Sequence, residues 1–332
     1  MENENKKLTP LKFLPETVQM PWGSVEYKLA DLGFVDSTAC EGWLKGNTLS
    51  DIMQTYLERV VGETSLEWYG TQFPVLVKRL DVKGRTSLHV TADDEAAEQR
   101  YDAFGKTALW YVEKAGADAR LYLGFSRPVT AEQFYKACED GSVEKLLHSV
   151  TPKAGEWYLI TPGLVHAAKD VTLLEVAEAS ELWFRLYDWG STEREMHLEE
   201  AFDLIDFNGI LRFTQNDKVW GQSDNPARIK IGQDEVVTPQ FTVHKIALTQ
   251  ALKSTRDEDD TFLIYICTKG AAAVQADKVN YALKEGEIVL VPAEVNEFFL
   301  LPDAPGTELL EVRMDPRQDD DIVSEEVDGG ED

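Results

Sequence analysis

One pattern occurs twice in this 332-residue chain, and a fold that must house a duplication has few forms open to it. The first copy reads KAGEWYLITPGLVHAAKDVTLLEV and the second KEGEIVLVPAEVNEFFLLPDAPGTELLEV. Each begins with a Lys-x-Gly-Glu turn, continues as a short apolar strand and reaches a proline. Four residues beyond that proline stands His166 in the first copy and Asn296 in the second. Each copy closes on Leu-Leu-Glu-Val, at 173–176 and 309–312. Upstream, LWYVEKAGADA and LIYICTKGAAAV also correspond. A strand–turn–strand unit present twice predicts two related β domains.

The rest of the chain agrees with a mainly β protein. Short apolar or alternating runs such as QFPVLVKRLDV, ELWFRLYDW and EIVLVPAE are separated by Gly, Pro and Asp, the pattern of a barrel or sandwich. Helical spacing is confined to two places, about 48–62, with Thr48 or Ser50 as cap, and about 130–149, with Thr130 as cap and Gly141 as a break. The expected organisation is a first β domain over 1–205, a connecting region over 206–231, a second β domain over 232–315 and an acidic, disordered tail over 316–332.

The net charge of −27 argues against a nucleic-acid partner, because a phosphate backbone needs a basic surface. An anionic small molecule would instead need lysines or arginines placed locally. No apolar run approaches the length of a membrane span, and the polar start MENENKKLTP lacks the apolar region of a signal peptide. Cys40, Cys138 and Cys267 form no CxxC pair. A cytoplasmic protein with no membrane partner is expected.

Candidate chemistry gathers in the first domain. In SLHVTADD, His89 and Thr91 have strand spacing and share one face of a sheet, the arrangement that lets a strand present two metal ligands together. His166 lies just after a strand in the same domain. His148, His197 and His244 are read as surface or packing histidines, and Asn296 leaves the second domain without a metal motif.

The Gly–strand–Pro–His arrangement resembles the second motif of the cupin superfamily, which implies tandem cupin-like jelly-roll barrels with a few helices. FPVLVKRLDVKGRTSLHVTADD, GKTALWYV, TPGLVHA and EVAEASELWFRLYDW, in that order, further resemble the successive motifs of type I mannose-6-phosphate isomerases of the short bacterial form. PWG at 21–23 fits the opening motif of that family. The resemblance implies interconversion of mannose 6-phosphate and fructose 6-phosphate at a bound zinc, a proton moving between C1 and C2 through an enediol. Such chemistry needs a base, a group to polarise the oxyanion and a cationic grip on the phosphate.

Placed on this sequence, the family's metal ligands give an uneven set. His89 takes the position of a glutamine ligand, Thr91 that of a histidine ligand and Ala108 that of a glutamate ligand, whereas His166 matches the last histidine. The resemblance therefore implies metal positions at His89 and His166 and degraded positions at Thr91 and Ala108. Glu175 or Glu178 is available as a substitute oxygen donor, and zinc would be weakly held or absent. The matched substrate positions are better preserved. Lys78 and Ser87 match positions near the phosphate, and Lys106 and Arg185 match positions for catalysis and substrate binding. Three readings stay open: an isomerase acting on a hexose phosphate, a non-catalytic sugar-phosphate-binding or regulatory protein, and a different cupin enzyme.

Overall fold

The computed structural model describes residues 6–208, 230–231, 234–256 and 261–314. Most of the expected connecting region, 209–229, and the acidic tail over 316–332 lie outside the described residues. No described helix is long and apolar enough to cross a membrane.

The first barrel is built on strands β1 (Glu16–Met20), β2 (Gly23–Leu29), β3 (Val75–Arg85), β4 (Leu88–Thr91), β5 (Ala108–Phe125), β6 (Leu147–Val150), β7 (Trp157–Ile160), β8 (His166–Glu178) and β9 (Trp183–Tyr187). All pair antiparallel, in the order β1-β2-β3-β8-β4-β9, with β5 joining β6, β7 and β8. Strand β8 is the hub, because it pairs with β3, β4 and β5. Its burial is nearly continuous, as expected of a strand covered on both faces. Asp170 within β8 takes a positive φ of 48°, and pairing with β3 and β5 shifts register beside it. Such a bulge changes which residues of a strand face inward. It lets His166 and Glu175, of opposite parity, line the same cavity.

The second barrel has two sheets. One runs β10 (Lys230–Ile231), β11 (Glu235–Val237), β12 (Thr242–Leu248), β19 (Thr307–Arg313), β14 (Leu263–Lys269), β17 (Ile288–Val291). The other runs β13 (Leu252–Thr255), β18 (Glu297–Pro302), β15 (Ala271–Ala276), β16 (Val279–Lys284). Two antiparallel sheets face to face make the jelly roll that the duplication predicts. Asn296 is exposed at the start of β18.

Helices α1 (Leu49–Tyr56), α2 (Glu58–Val61) and α3 (Glu63–Tyr69) occupy and slightly overrun the expected 48–62 region. Thr48 caps α1, its hydroxyl accepting from the Asp51 amide at 3.2 Å. Among the described residues, α1–α3 pack with both barrels into one apolar core, where Phe73 of the first barrel meets Phe262 of the second at 4.7 Å between ring centroids. The expected helix over 130–149 is shorter. It is α5, Ala131–Asp140, closed by Gly141 at φ 75°, followed by a single 3-10 turn and then by β6, where His148 sits. Leu147–Val150 is drawn into the sheet by pairing with β5. Two further helices were not expected at all: α4 (Asp94–Tyr101), capped by Asp93, and the short α6 (Leu198–Ala201).

Candidate functional site

A cavity of about 360 Å³ opens into the first barrel. Sheet register decides what meets there. His89 on β4 lies directly opposite His166 on β8 and, on its other side, opposite Arg185 on β9. Glu175 on β8 is flanked by Lys78 on β3 and Trp110 on β5. Lys106 enters from the segment before β5, while Glu181 enters from the turn between β8 and β9.

The four charged groups form one closed cluster. Lys78 Nζ lies 3.3 Å from Glu175 Oε1, and Lys106 Nζ lies 3.3 Å from the same oxygen. Glu181 Oε1 receives both ammonium groups, Lys106 at 3.1 Å and Lys78 in direct contact. The other Glu175 oxygen accepts the indole N–H of Trp110 at 2.7 Å. Burial alone would raise the Glu175 pKa, but Lys78 and Lys106 outweigh it and hold the carboxyl well below the usual range. Burial likewise opposes the charge on Lys78, and Glu175 and Glu181 outweigh it, so the ammonium is held more firmly than usual. The cluster is two cations matched by two anions in a nearly dry setting.

Beside it the two imidazoles are neutral. Burial lowers the His166 pKa to about 4, and burial together with His166 and Arg185 pushes His89 well below its ordinary value. His166 Nδ1 lies 2.9 Å from the Leu164 carbonyl and must donate to it, which turns Nε2 toward the cavity. Its ring centroid is 6.1 Å from that of His89. His89 Nε2 is enclosed and has no hydrogen-bond partner among the described residues. Trp183 packs on His89 at 4.6 Å between centroids, and Trp110 meets His166 edge-on at 5.4 Å.

At the mouth stand two arginines. Arg185 Nε donates to Ser87 Oγ at 3.1 Å, and its Nη1 donates to the Glu195 carbonyl at 2.7 Å. Arg194 is clasped by the buried Asp188, with Nε donating to Oδ2 at 2.8 Å. Burial and the like charge of Arg194 both lower the Arg185 pKa from its ordinary value.

The structure thus places Lys78, His89, Thr91, Lys106, Ala108, His166, Glu175 and Arg185 around one cavity. Two residues singled out in the sequence stand elsewhere. Ser87 is fully buried behind Arg185 and holds that guanidinium, while its neighbour Thr86 reaches the cavity wall. Glu178 lies off the cavity and accepts the Thr107 amide at 2.7 Å, which takes it out of reach as a substitute ligand. Glu181, Arg194, Tyr27 and Trp183 line the cavity without having been proposed as site residues from the sequence. Glu181 and Arg194 follow no strand alternation, so only their closeness to the ELWFRLYDW strand offered a signal.

The donors present do not fit a zinc centre. His89 Nε2 and His166 Nε2 suit a metal, but a catalytic zinc ordinarily takes three protein ligands. Thr91 spends its hydroxyl on the Lys106 carbonyl at 2.9 Å, and Ala108 has no donor atom. Glu175 and Glu181 are the carboxylates that line the cavity, and both are ion-paired with Lys78 and Lys106, although Glu175 Oε1, 3.3 Å from each ammonium, makes no hydrogen bond among the described residues. Among the described residues no group of three His, Cys, Asp or Glu is placed to hold a metal ion.

Comparison with known proteins is consistent with this architecture. A family model described as the cupin domain of mannose-6-phosphate isomerase matches residues 234–301, in the second barrel. Similarity to a probable mannose-6-phosphate isomerase, GmuF of Bacillus subtilis strain 168, runs over 273 residues at 27% identity, covering 79% of this chain and 81% of that protein. The mannose-6-phosphate isomerase ManA of the same strain is 25% identical over 325 residues, covering 88% of this chain and 95% of its own. Among solved structures, a mannose 6-phosphate isomerase from Bacillus subtilis superposes with a TM-score of 0.77 at 22% identity, covering 92% of this chain and all of that one. A zinc-bound mannose 6-phosphate isomerase shares the fold at a TM-score of 0.70 and 14% identity, covering 92% and 100%.

Proposed function

Since the chain belongs to the type I mannose-6-phosphate isomerase family of the cupin superfamily, we propose that its first barrel binds a hexose phosphate and does so without the zinc-dependent isomerisation of that family. The observation that carries this reading is the Lys78–Glu175–Lys106–Glu181 cluster. It retains cations and acceptors suited to sugar hydroxyls, and it commits to internal ion pairs the carboxylate that a metal would require. Trp183 and Trp110 line the cavity wall, where an indole can pack against the C–H face of a pyranose. The sugar hydroxyls would exchange hydrogen bonds with Lys106, Glu181 and His89. Zinc, where a relative holds it, supplies a Lewis acid for the carbonyl and the enediolate.

A second reading, retained isomerisation, rests on His89 alone. His89 lines the same cavity as Lys106 and Arg185 and its enclosed Nε2 has no partner among the described residues, so an imidazole and two cations for an enediolate are present without a metal.

One experiment separates the two. The purified chain is incubated with excess zinc and dialysed, its metal content is measured, and mannose 6-phosphate is followed in deuterated water by NMR. The binding reading expects well under one zinc per chain, no fructose 6-phosphate and no deuterium at C2, while the sugar phosphate raises the unfolding midpoint. Deuterium at C2 in the metal-free protein would establish the second reading. Stoichiometric zinc with turnover would overturn the account of the site.

A further inference from the structure

The wall of the cavity is not uniform. Along the sheet order, its β9 end carries cations, whereas β1, β2 and the turn and loop beside them contribute apolar groups. Met20, Trp22, Val25, Tyr27 and Phe34 make up that apolar side. Phe34 is the most exposed of them, at 65%, while Trp22 and Tyr27 are buried.

A single exposed aromatic ordinarily needs no explanation. Phe34 differs in what holds it and in what it touches. It stands near the tip of the loop 31–36, which is closed by a bridge between Asp31 and Asp36. Within the loop the Leu32 amide donates to the Val35 carbonyl at 3.0 Å. Both legs are tied to neighbouring elements. The Asp31 carboxylate accepts the Phe73 amide at 2.9 Å, and the Asp31 carbonyl accepts the Gln72 side-chain amide at 3.0 Å. Asp36 accepts the Ser50 amide at 3.2 Å and the Ser50 hydroxyl as well. Val35, next to Phe34, is buried in the core of the first barrel. The exposure of Phe34 is therefore imposed by a tied loop and is not that of a frayed segment.

The Phe34 ring meets Tyr27 edge-on at 6.2 Å between centroids, and the Lys78 ammonium lies 5.8 Å from the Tyr27 ring centroid. A continuous run thus leads from the charged cluster through Tyr27 to an open aromatic ring at the edge of the cavity. Trp183 and Trp110 already serve the pyranose within, so Phe34 is left for a further group. A ring held in place beforehand loses little freedom when a second ring packs on it.

We propose that Phe34, backed by Tyr27 and Trp22, forms an outer subsite for a planar substituent on the sugar, and that the ligand is a phosphorylated glycoside with an aromatic aglycone. The inference rests on the hexose-phosphate reading above and narrows its ligand class. The anomeric oxygen is the position at which a hexose joins a second ring. A glycosidic bond there keeps C1 in the pyranose and withholds the aldehyde that aldose–ketose isomerisation needs, which accords with a cavity whose donors do not fit zinc.

The test is titration calorimetry of the full chain with mannose 6-phosphate, with p-nitrophenyl mannoside 6-phosphate as each anomer, and with the unphosphorylated p-nitrophenyl mannosides. It is repeated for Phe34→Ala and Phe34→Trp, with unliganded unfolding midpoints as the control for folding. The expected result is that wild type binds one anomer of the aryl glycoside phosphate at least tenfold more tightly than mannose 6-phosphate. Phe34→Ala should abolish that advantage and leave mannose 6-phosphate unchanged, and Phe34→Trp should retain it. If wild type binds mannose 6-phosphate and neither aryl anomer more tightly, the outer subsite is overturned while the hexose-phosphate reading stands. An advantage that survives in Phe34→Ala overturns the subsite in the same way. If the unphosphorylated aryl mannoside binds as tightly as the phosphorylated one, and through Phe34, the hexose-phosphate reading fails and the subsite stands. Binding of none of these probes by the wild type overturns both.

Discussion

Lys78 and Lys106 both pair with Glu175 inside the first-barrel cavity, and that pairing has energetic consequences for each residue. Removing one charge of a buried, matched set leaves its partners uncompensated. Lys78→Met is expected to cost about 3–5 kcal/mol in urea unfolding, and adding Glu181→Gln should recover part of it. The histidines give a pH signature whose sign is fixed by their depressed pKa values. His166 titrates near 4 when folded and near 6.5 when unfolded, so the unfolded chain takes up a proton first. Stability should therefore be constant above pH 6.5 and fall as the pH drops toward 4, by up to about 3 kcal/mol from this residue. Denaturant titrations at successive pH values check this, and His166→Gln should flatten the profile. Single residues were partly legible in the sequence. His89, His166, Lys78, Lys106 and Arg185 announce themselves through motif and strand spacing, and register brings them together. Glu181 and Arg194 come from turns, where no periodicity marks which way a side chain faces. Ser87 has the composition of a ligand contact, but an adjacent guanidinium claims it.

At the scale of elements, the cavity depends on how strands are turned and tied. The PWG corner between β1 and β2 shows why. The Trp22 carbonyl accepts the amides of Lys83 and Gly84 at 2.9 and 3.0 Å, which fixes β2 beside β3. A Cβ on Gly23 would lie 1.9 Å from the Asp81 carbonyl oxygen, with φ at 150°. Gly23→Ala is thus expected to destabilise by more than about 2 kcal/mol through backbone displacement, and to loosen the wall that carries Trp22 and Tyr27. Thermal unfolding measures the first effect and sugar-phosphate affinity the second. The duplication that was readable in sequence also survives in side-chain detail. Glu175 accepts from Trp110 across β8 and β5, and Glu311 accepts from Tyr265 across β19 and β14 at 2.6 Å. Matching the two sequences by LWY and LIY sets Tyr111 against Tyr265, one residue away from this structural equivalence. Register within a strand is a property of pairing, and local sequence does not carry it. For the same reason the segment around His148 reads as helix and folds as strand.

For the molecule as a whole, the two barrels are joined by a shared apolar core as well as by the chain. Phe73, Phe262 and the α1–α3 helices occupy it, and Arg59 on α2 pairs with Glu294 of the second barrel at 2.9 Å. Phe262→Ala should cost about 3–5 kcal/mol, and hydrogen exchange should register the loss in the first barrel as well as the second. The duplication predicted both barrels; their common core was not visible, because a sequence does not say which apolar faces meet between domains. The candidate cavity lies in the first barrel, and in the second an exposed Asn296 stands in place of His166. The central claim is that the first barrel recognises a hexose phosphate through arginines and lysines, independently of zinc. Calorimetric titration of the full chain with mannose 6-phosphate, once in excess EDTA and once with saturating zinc, addresses it most directly. The account predicts saturable binding of equal affinity in both conditions. Binding that appears only with zinc would contradict it.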